Sequence, residues 1–170
     1  RGNRSITLRP ENTASAVRAF VEHKMYADAD PAKLFYIGPM FRYDRPQAGR
    51  QRQFHQFGVE VLGVSSPNVD AEIIVLAVEI LKTLGLRDLQ LKINTVGCPQ
   101  CRPVYRKMLQ DYFRPHFDEL CELCQSRFDR NPMRILDCKN PKCHALAAGA
   151  PKLLDCLDDD CKAHFAKVQE

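Results

Sequence analysis

Tyr36-Ile37-Gly38-Pro39-Met40-Phe41-Arg42-Tyr43-Asp44, followed after a short bend by Arg50-Gln51-Arg52-Gln53-Phe54-His55-Gln56, is the stretch whose reading decides the fold. Leu34 to Ile37 reads as a strand, interrupted at Gly38-Pro39 and resumed at Met40-Phe41-Arg42. The segment from Tyr43 to Arg52 is polar, with Pro46 and Gly49 at its bend. From Gln53 to Gly63 the sequence alternates again, with Phe57, Val59 and Val61 on one face. Two extended segments around a basic turn predict a long antiparallel hairpin.

Working outward, Ser5 to Arg9 alternates in strand fashion and stops at Pro10. Asn12 or Thr13 can cap a helix that carries Ala16, Val17, Phe20 and Val21 on one side, and Asp28 to Pro31 reads as a loop. Ser66-Pro67 opens a second helix, with Ile73, Leu76, Ala77, Ile80, Leu81 and Leu84 leading to a stop at Gly85. Leu89 to Asn94 reads as a further strand. Beyond it the pattern turns helical and cysteine-rich, over Arg102 to Phe113, then Asp118 to Phe128, then shorter turns. The domain boundary is expected near residues 94–97, giving domains 1–95 and 96–170.

Composition supports a folded chain: 45% of the 170 residues are hydrophobic and 27% charged. No apolar run has membrane-spanning length, and no basic leader precedes an apolar stretch, so the sequence predicts neither secretion nor insertion. Net charge is only +4, so bulk charge alone does not make this chain a nucleic-acid platform. A local basic cluster does exist, formed by Arg42, Arg45, Arg50 and Arg52 and opposed only by Asp44.

That cluster has a chemical reading. It puts one arginine on a rigid strand, a second at the edge of a loop and an aromatic ring on the returning strand. A nucleoside triphosphate is held by such partners: guanidinium groups for its phosphates and a ring for its base. On spacing alone, a solvated basic hairpin with Phe54 in the core reads equally well.

Phe41-Arg42-x-Asp44, a loop and then Arg50-x-x-x-Phe54 resembles motif 2 of the class II aminoacyl-tRNA synthetases. The longer runs, Tyr36 to Arg42, Arg45-Pro46-Gln47-x-Gly49-Arg50 and Arg52 to Gln56, resemble the histidine-specific branch of that family. Leu8-Arg9-Pro10-Glu11-x-Thr13 and Asn131-Pro132-x-Arg134-Ile135-Leu136-Asp137 fit the same branch, so the likeness covers essentially the whole chain. It implies an α+β fold: a partial class II antiparallel sheet with flanking helices, then a mainly helical insertion domain. In two places the chain departs from the family pattern. Asn12 stands where Gly is usual, which Asn tolerates because it accepts unusual backbone angles, and Asp44 takes an acid position often filled by Glu.

The resemblance also implies roles. Arg42 would hold the ATP α-phosphate and the carboxylate of histidine, and would be the catalytic group. Arg50 would reach the γ-phosphate, Asp44 belongs to the same ATP-binding motif, and Phe54 would stack on adenine. Glu11, Thr13 and Gln56 would hold the α-amino group of histidine, and Glu60 would accept from its imidazole. Acceptors are the right groups for an ammonium and a ring N–H; otherwise Glu11 and Glu60 are surface acids at strand ends. Arg45 and Gln47, at the loop tip, would meet the acceptor end of tRNA(His).

The implied reaction is formation of histidyl-adenylate from histidine and ATP with Mg²⁺, then transfer of histidine to the terminal ribose of tRNA(His). Arg42 with Mg²⁺ would stabilise charge on the α-phosphate, which is electrostatic preorganisation rather than acid–base catalysis. His55 therefore reads as a packing or hydrogen-bonding residue. The resemblance further implies a cytoplasmic homodimer. Its dimer-forming motif, its remaining catalytic motifs and its anticodon-binding domain would lie outside these 170 residues, so the piece alone is expected to be inactive. A noncatalytic relative, the regulatory subunit of ATP phosphoribosyltransferase, borrows the same fold. It generally lacks the insertion and the full residue set.

All eight cysteines lie between Cys98 and Cys161. Cys98-x-x-Cys101 and Cys121-x-x-Cys124 have the spacing of zinc ligands. A mostly helical segment of about 16 residues between the pairs spans roughly 24 Å, too far for one ion unless the chain folds back at Pro115. A nested arrangement is therefore expected. Cys121 and Cys124 meet Cys138 and Cys143 at the tip of the insertion, and Cys98 and Cys101 meet Cys156 and Cys161 at its base. His144 is an alternative ligand. Reduced cysteines packed in a small helical core are the competing reading.

Overall fold

The computed structural model describes residues 5–28, 31–45 and 47–170. The expected bend at Pro46 and part of the loop from Asp28 to Pro31 lie outside the described residues. Residue contacts divide the chain into two compact units, 1–81 and 82–170, so the division falls earlier than the sequence reading placed it. In the first unit, helix α1 (Thr13–Glu22) precedes strands β1 (Ala32–Phe41) and β2 (Gln53–Leu62), and helix α2 (Pro67–Thr83) follows and runs into the second. The second unit carries helices α3 (Cys101–Phe113), α4 (Glu122–Phe128), α5 (Pro141–Ala147) and α6 (Asp159–Gln169), with 3₁₀ turns between them.

Strands β1 and β2 form a two-stranded antiparallel sheet whose register runs from Ala32↔Leu62 to Phe41↔Gln53. β1 passes through Gly38-Pro39 without the expected interruption. Arg42 N donates to Arg52 O, while Phe41 N points the other way and donates to Arg9 O. By alternation Pro39 faces outward with Phe41, so its missing N–H removes no bond between the two strands. Ser5 to Arg9 is not a regular strand. Its end still docks on that outer edge through Phe41 N and through Arg9 Nε to Pro39 O at 2.9 Å. Leu89 to Asn94 likewise forms no strand, because no second strand pairs with it among the described residues.

Alternation along β1 sets Ala32, Leu34, Tyr36, Gly38 and Met40 on one face, buried or half-buried. Phe35 and Ile37 on the other face are 77% and 73% exposed. Among the described residues of this unit, only Ala32 and Met40 are buried hydrophobic side chains. A lone hairpin is marginal in water. On α1, Val17 and Val21 are exposed, and the partly buried side is Ser15, Ala16, Ala19 and Phe20 instead. α2 starts where Ser66-Pro67 indicated, with Ser66 O accepting from Val69 N. It stops at Gly85, whose left-handed φ of 86° lets its N–H close onto Lys82 O.

The second unit has a core of its own. Cys101, Tyr105, Leu109 and Phe113 lie four residues apart along one side of α3, and all are buried. They pack with Leu120, Cys124, Phe128, Ile135, Cys143 and Leu153. The expected helix from Asp118 to Phe128 is broken. A 3₁₀ turn covers Arg114–Glu119, Leu120 and Cys121 are extended, and α4 starts only at Glu122. Pro115 cannot supply an N–H to continue α3, and the turn lets the chain reverse onto α3. Gln110 Nε2 then reaches Phe128 O, and Tyr112 OH reaches Leu146 O. Leu109 has no solvent exposure, so Leu109→Ala should lower the unfolding free energy of the second unit by about 2–5 kcal/mol in a denaturant titration.

Candidate functional site

Because side chains alternate, Tyr36, Arg42, Phe54, Gln56, Gly58 and Glu60 occupy one face of the hairpin. The Arg42 guanidinium lies 4.9 Å from the centroid of the Phe54 ring. Its Nε donates to Pro10 O at 2.9 Å, which leaves most of its five N–H donors for a ligand. A cation beside a half-buried ring is suited to an anion carrying an aromatic base. Arg50 stands across the bend, 3.9 Å from Asp44 Oδ2, and Arg52 Nε donates to Asp44 O. Asp44 thus orients the arginines. Gln47 and Arg50 exchange backbone hydrogen bonds around Gly49, whose φ is 74°, which closes the bend tightly. Arg45 and Gln47 are exposed there.

A second set of groups gathers farther along the same face. Thr13 Oγ1 and Tyr36 OH lie 3.4 Å apart, and Tyr36 OH donates to Glu60 Oε1 at 3.4 Å. Tyr36 can lie across the sheet because its partner is Gly58. A Cβ at that position would come within 2.3 Å of the Tyr36 ring. Two buried acceptors, Gln56 Oε1 on this face and Asn12 Oδ1 next to Thr13 in the chain, have no hydrogen-bond partner among the described residues. Leaving such an atom unpaired costs about 1–3 kcal/mol, so a ligand with N–H groups suits this place.

Glu11 binds its own helix: Oε2 accepts from Thr13 N at 2.6 Å and Oε1 from Ala14 N at 3.3 Å. It takes the capping function expected of Asn12, whose side chain makes no cap bond. Asn12 itself has φ −123°, so no glycine-like backbone is required at this departure from the family pattern. His55 is exposed and points to the opposite face. Tyr36 and Gly58 have no role assigned by the sequence pattern. A glycine paired with an aromatic residue was the available signal, but it needs the register to be read.

The cysteines form two groups. Cys121, Cys124, Cys138 and Cys143 lie together, with all four sulfurs within 4.8 Å of one another. The second group is Cys98, Cys101, Asp158 and Cys161. Cys156, expected there, is replaced by Asp158. It ends the 3₁₀ turn Leu153–Cys156 with its thiol directed to Leu153 O at 3.3 Å, and burial pushes that thiol's pKa up. His144 belongs to neither group.

The strand arginine, the loop arginine and the returning aromatic stand in the arrangement that the resemblance to the class II aminoacyl-tRNA synthetases implies. Residues 1–112 match the family model described as histidyl-tRNA synthetase, and the chain belongs to that family. It is 61% identical over all 170 residues to a histidine–tRNA ligase of Pelotomaculum thermopropionicum and 56% identical to one of Clostridioides difficile. It covers 40% of the length of each. The apo crystal structure of S. aureus histidyl-tRNA synthetase superposes with a TM-score of 0.75 at 42% identity, over 99% of this chain and 39% of that one. The chain thus spans about two-fifths of the relatives it matches.

Hydrogen bonds from the Thr13 side chain and backbone hold the Glu11 carboxyl below the ordinary glutamate range. With a depressed folded value, its contribution to the start of α1 is complete above the unfolded pKa and is lost as pH falls through the folded one. In a carboxyl NMR titration Glu11 should have a midpoint below about 4.3, and a midpoint at or above that value contradicts the capping role.

Proposed function

We propose that the protein to which this chain belongs joins histidine to ATP as histidyl-adenylate and transfers it to tRNA(His). One observation carries the reading. A single hairpin face holds the Arg42–Phe54 cation–ring pair at one end and the Tyr36–Glu60 contact, with Thr13 Oγ1 beside it, at the other. From Phe54 to Glu60 is six residues of strand, about 20 Å, which is the order of length of an aminoacyl-adenylate.

In this reading adenine stacks on Phe54, Arg42 holds the α-phosphate and histidine's carboxylate, and Arg50 reaches the γ-phosphate. Glu11, Thr13 and Gln56 receive the α-ammonium. Glu60, steadied by the Tyr36 hydroxyl, accepts from the imidazole. The carboxylate oxygen forms a bond to the α-phosphorus while the bond to the bridging oxygen breaks, and pyrophosphate leaves with that electron pair. No proton moves in this step, so no general base is required. Arg42 acts by meeting charge on the non-bridging oxygens. Mg²⁺ supplies counter-charge to the phosphates when bound. Arg45 and Gln47 face the acceptor end of the tRNA.

The family resemblance carries the cytoplasmic homodimer into the same proposal. No helix of the described residues is long and apolar enough to cross a membrane. The regulatory-subunit alternative is not favoured, because the named relatives are ligases.

Histidine-dependent ATP–pyrophosphate exchange by the full-length protein tests the reading. Arg42→Ala should lower kcat by about 10²–10³-fold, the usual effect of removing one preorganised donor. An unchanged rate in that variant, or no exchange by the parent protein, overturns the proposal. Gly58→Ala should displace the Tyr36 ring and raise the KM for histidine more than the KM for ATP; equal effects on both would detach Tyr36 from the amino-acid site.

A further inference from the structure

The cysteines of the second unit play no part in that chemistry, yet seven of the eight converge on two points. We propose that Cys121, Cys124, Cys138 and Cys143 hold one structural zinc ion, and that Cys98, Cys101, Cys161 and the Asp158 carboxylate hold a second.

Spacing between the donors is the first argument. Zinc–sulfur bonds of about 2.3 Å in a tetrahedron place the sulfurs roughly 3.8 Å apart. The Cys121 and Cys138 sulfurs are 3.9 Å apart and those of Cys98 and Cys101 are 3.4 Å apart. Both separations far exceed the roughly 2.05 Å of a disulfide, and all eight cysteines are free. The donors also come from separate pieces of chain. In the first group they are the start of α4, the segment after the 3₁₀ turn Pro132–Ile135, and α5. Cysteines that merely fill a core pack as small apolar groups wherever there is space, with no tendency to focus four sulfurs on one centre. Cys156 behaves in that ordinary way and serves as the internal comparison.

Backbone groups hold the sulfurs in place. Cys121 N donates to Cys143 Sγ at 3.2 Å, Gln100 N and Cys101 N each donate to Cys98 Sγ at 3.3 Å, and Asp158 N donates to Cys101 Sγ at 3.2 Å. Outer hydrogen bonds of this kind orient the ligands of a metal site. Asp158 Oδ2 receives the Cys98 and Cys101 thiols at 2.9 and 3.1 Å, while Oδ1 is fixed by Cys161 N at 2.7 Å. An incoming ion displaces those thiol protons to solvent, and the carboxylate then sits beside it as the fourth donor. Local architecture supplies a need for the first ion. α4 and α5 are seven residues each, too short to persist by their own hydrogen bonds, and a metal cross-link holds such pieces in place.

The full chain, purified under reductant with no metal added, should contain about two zinc ions per chain by plasma mass spectrometry. Cys124→Ser should remove one of them, Cys101→Ser the other, and Cys156→Ser neither. Cobalt exchanged into the parent protein gives a readout independent of whether the variants fold. It should show tetrahedral visible bands and thiolate charge-transfer bands. Zinc-free protein that also takes up no cobalt overturns both sites. A single ion overturns the site whose serine variant leaves the stoichiometry unchanged. An iron–sulfur chromophore, or loss of zinc in Cys156→Ser, overturns the assignment of ion or ligands.

Discussion

The antiparallel register between Ala32–Phe41 and Gln53–Leu62 determines which side chains of the first unit can meet. With a period of two, a slip of one residue would turn Phe54, Gln56 and Glu60 away from Arg42 and Tyr36. Three local features hold that register without a large core. Gly49 closes the bend in a left-handed conformation, Pro39 spends its missing donor on the outer edge, and Gly58 leaves space for the Tyr36 ring. The polar face depends on all three.

The two units are stabilised by different means. Few side chains are buried in the first, and the apolar face bearing Phe35, Ile37 and Phe57 is exposed. Such a surface fits a chain that spans two-fifths of its relatives' length. The second unit buries a continuous row from Cys101 to Phe113 and folds short helices around it. Its polar groups are matched locally, as in Tyr105 OH to Pro151 O and Tyr112 OH to Leu146 O.

Much of the hairpin is legible in the sequence, because alternation and turn residues are local signals. The two strands, the bend and α2 with its glycine stop all follow from neighbouring residues. The misreadings share a cause. Ser5–Arg9 and Leu89–Asn94 have strand patterning, but a strand exists only where another lies beside it. Pro39 looked like a break because local sequence does not say which edge it faces. The helix expected from Asp118 to Phe128 yielded to a reversal that packs Phe128 near α3. In the candidate site, the resemblance named Arg42, Arg50, Phe54, Gln56 and Glu60. Tyr36 and Gly58 emerged only with the cross-strand geometry.

By itself the sequence determined the chemistry on offer: two arginines and an aromatic at motif spacing, carboxylates nearby, and cysteines confined to one stretch. These are properties of residue type and short separation, which covalent structure fixes. The tertiary structure decided the partners. It placed Asp158 rather than Cys156 beside Cys98 and Cys101, made Glu11 the cap of α1, and left Gln56 Oε1 buried without a donor. Each of these depends on where distant segments come to rest, and packing of the whole unit sets that.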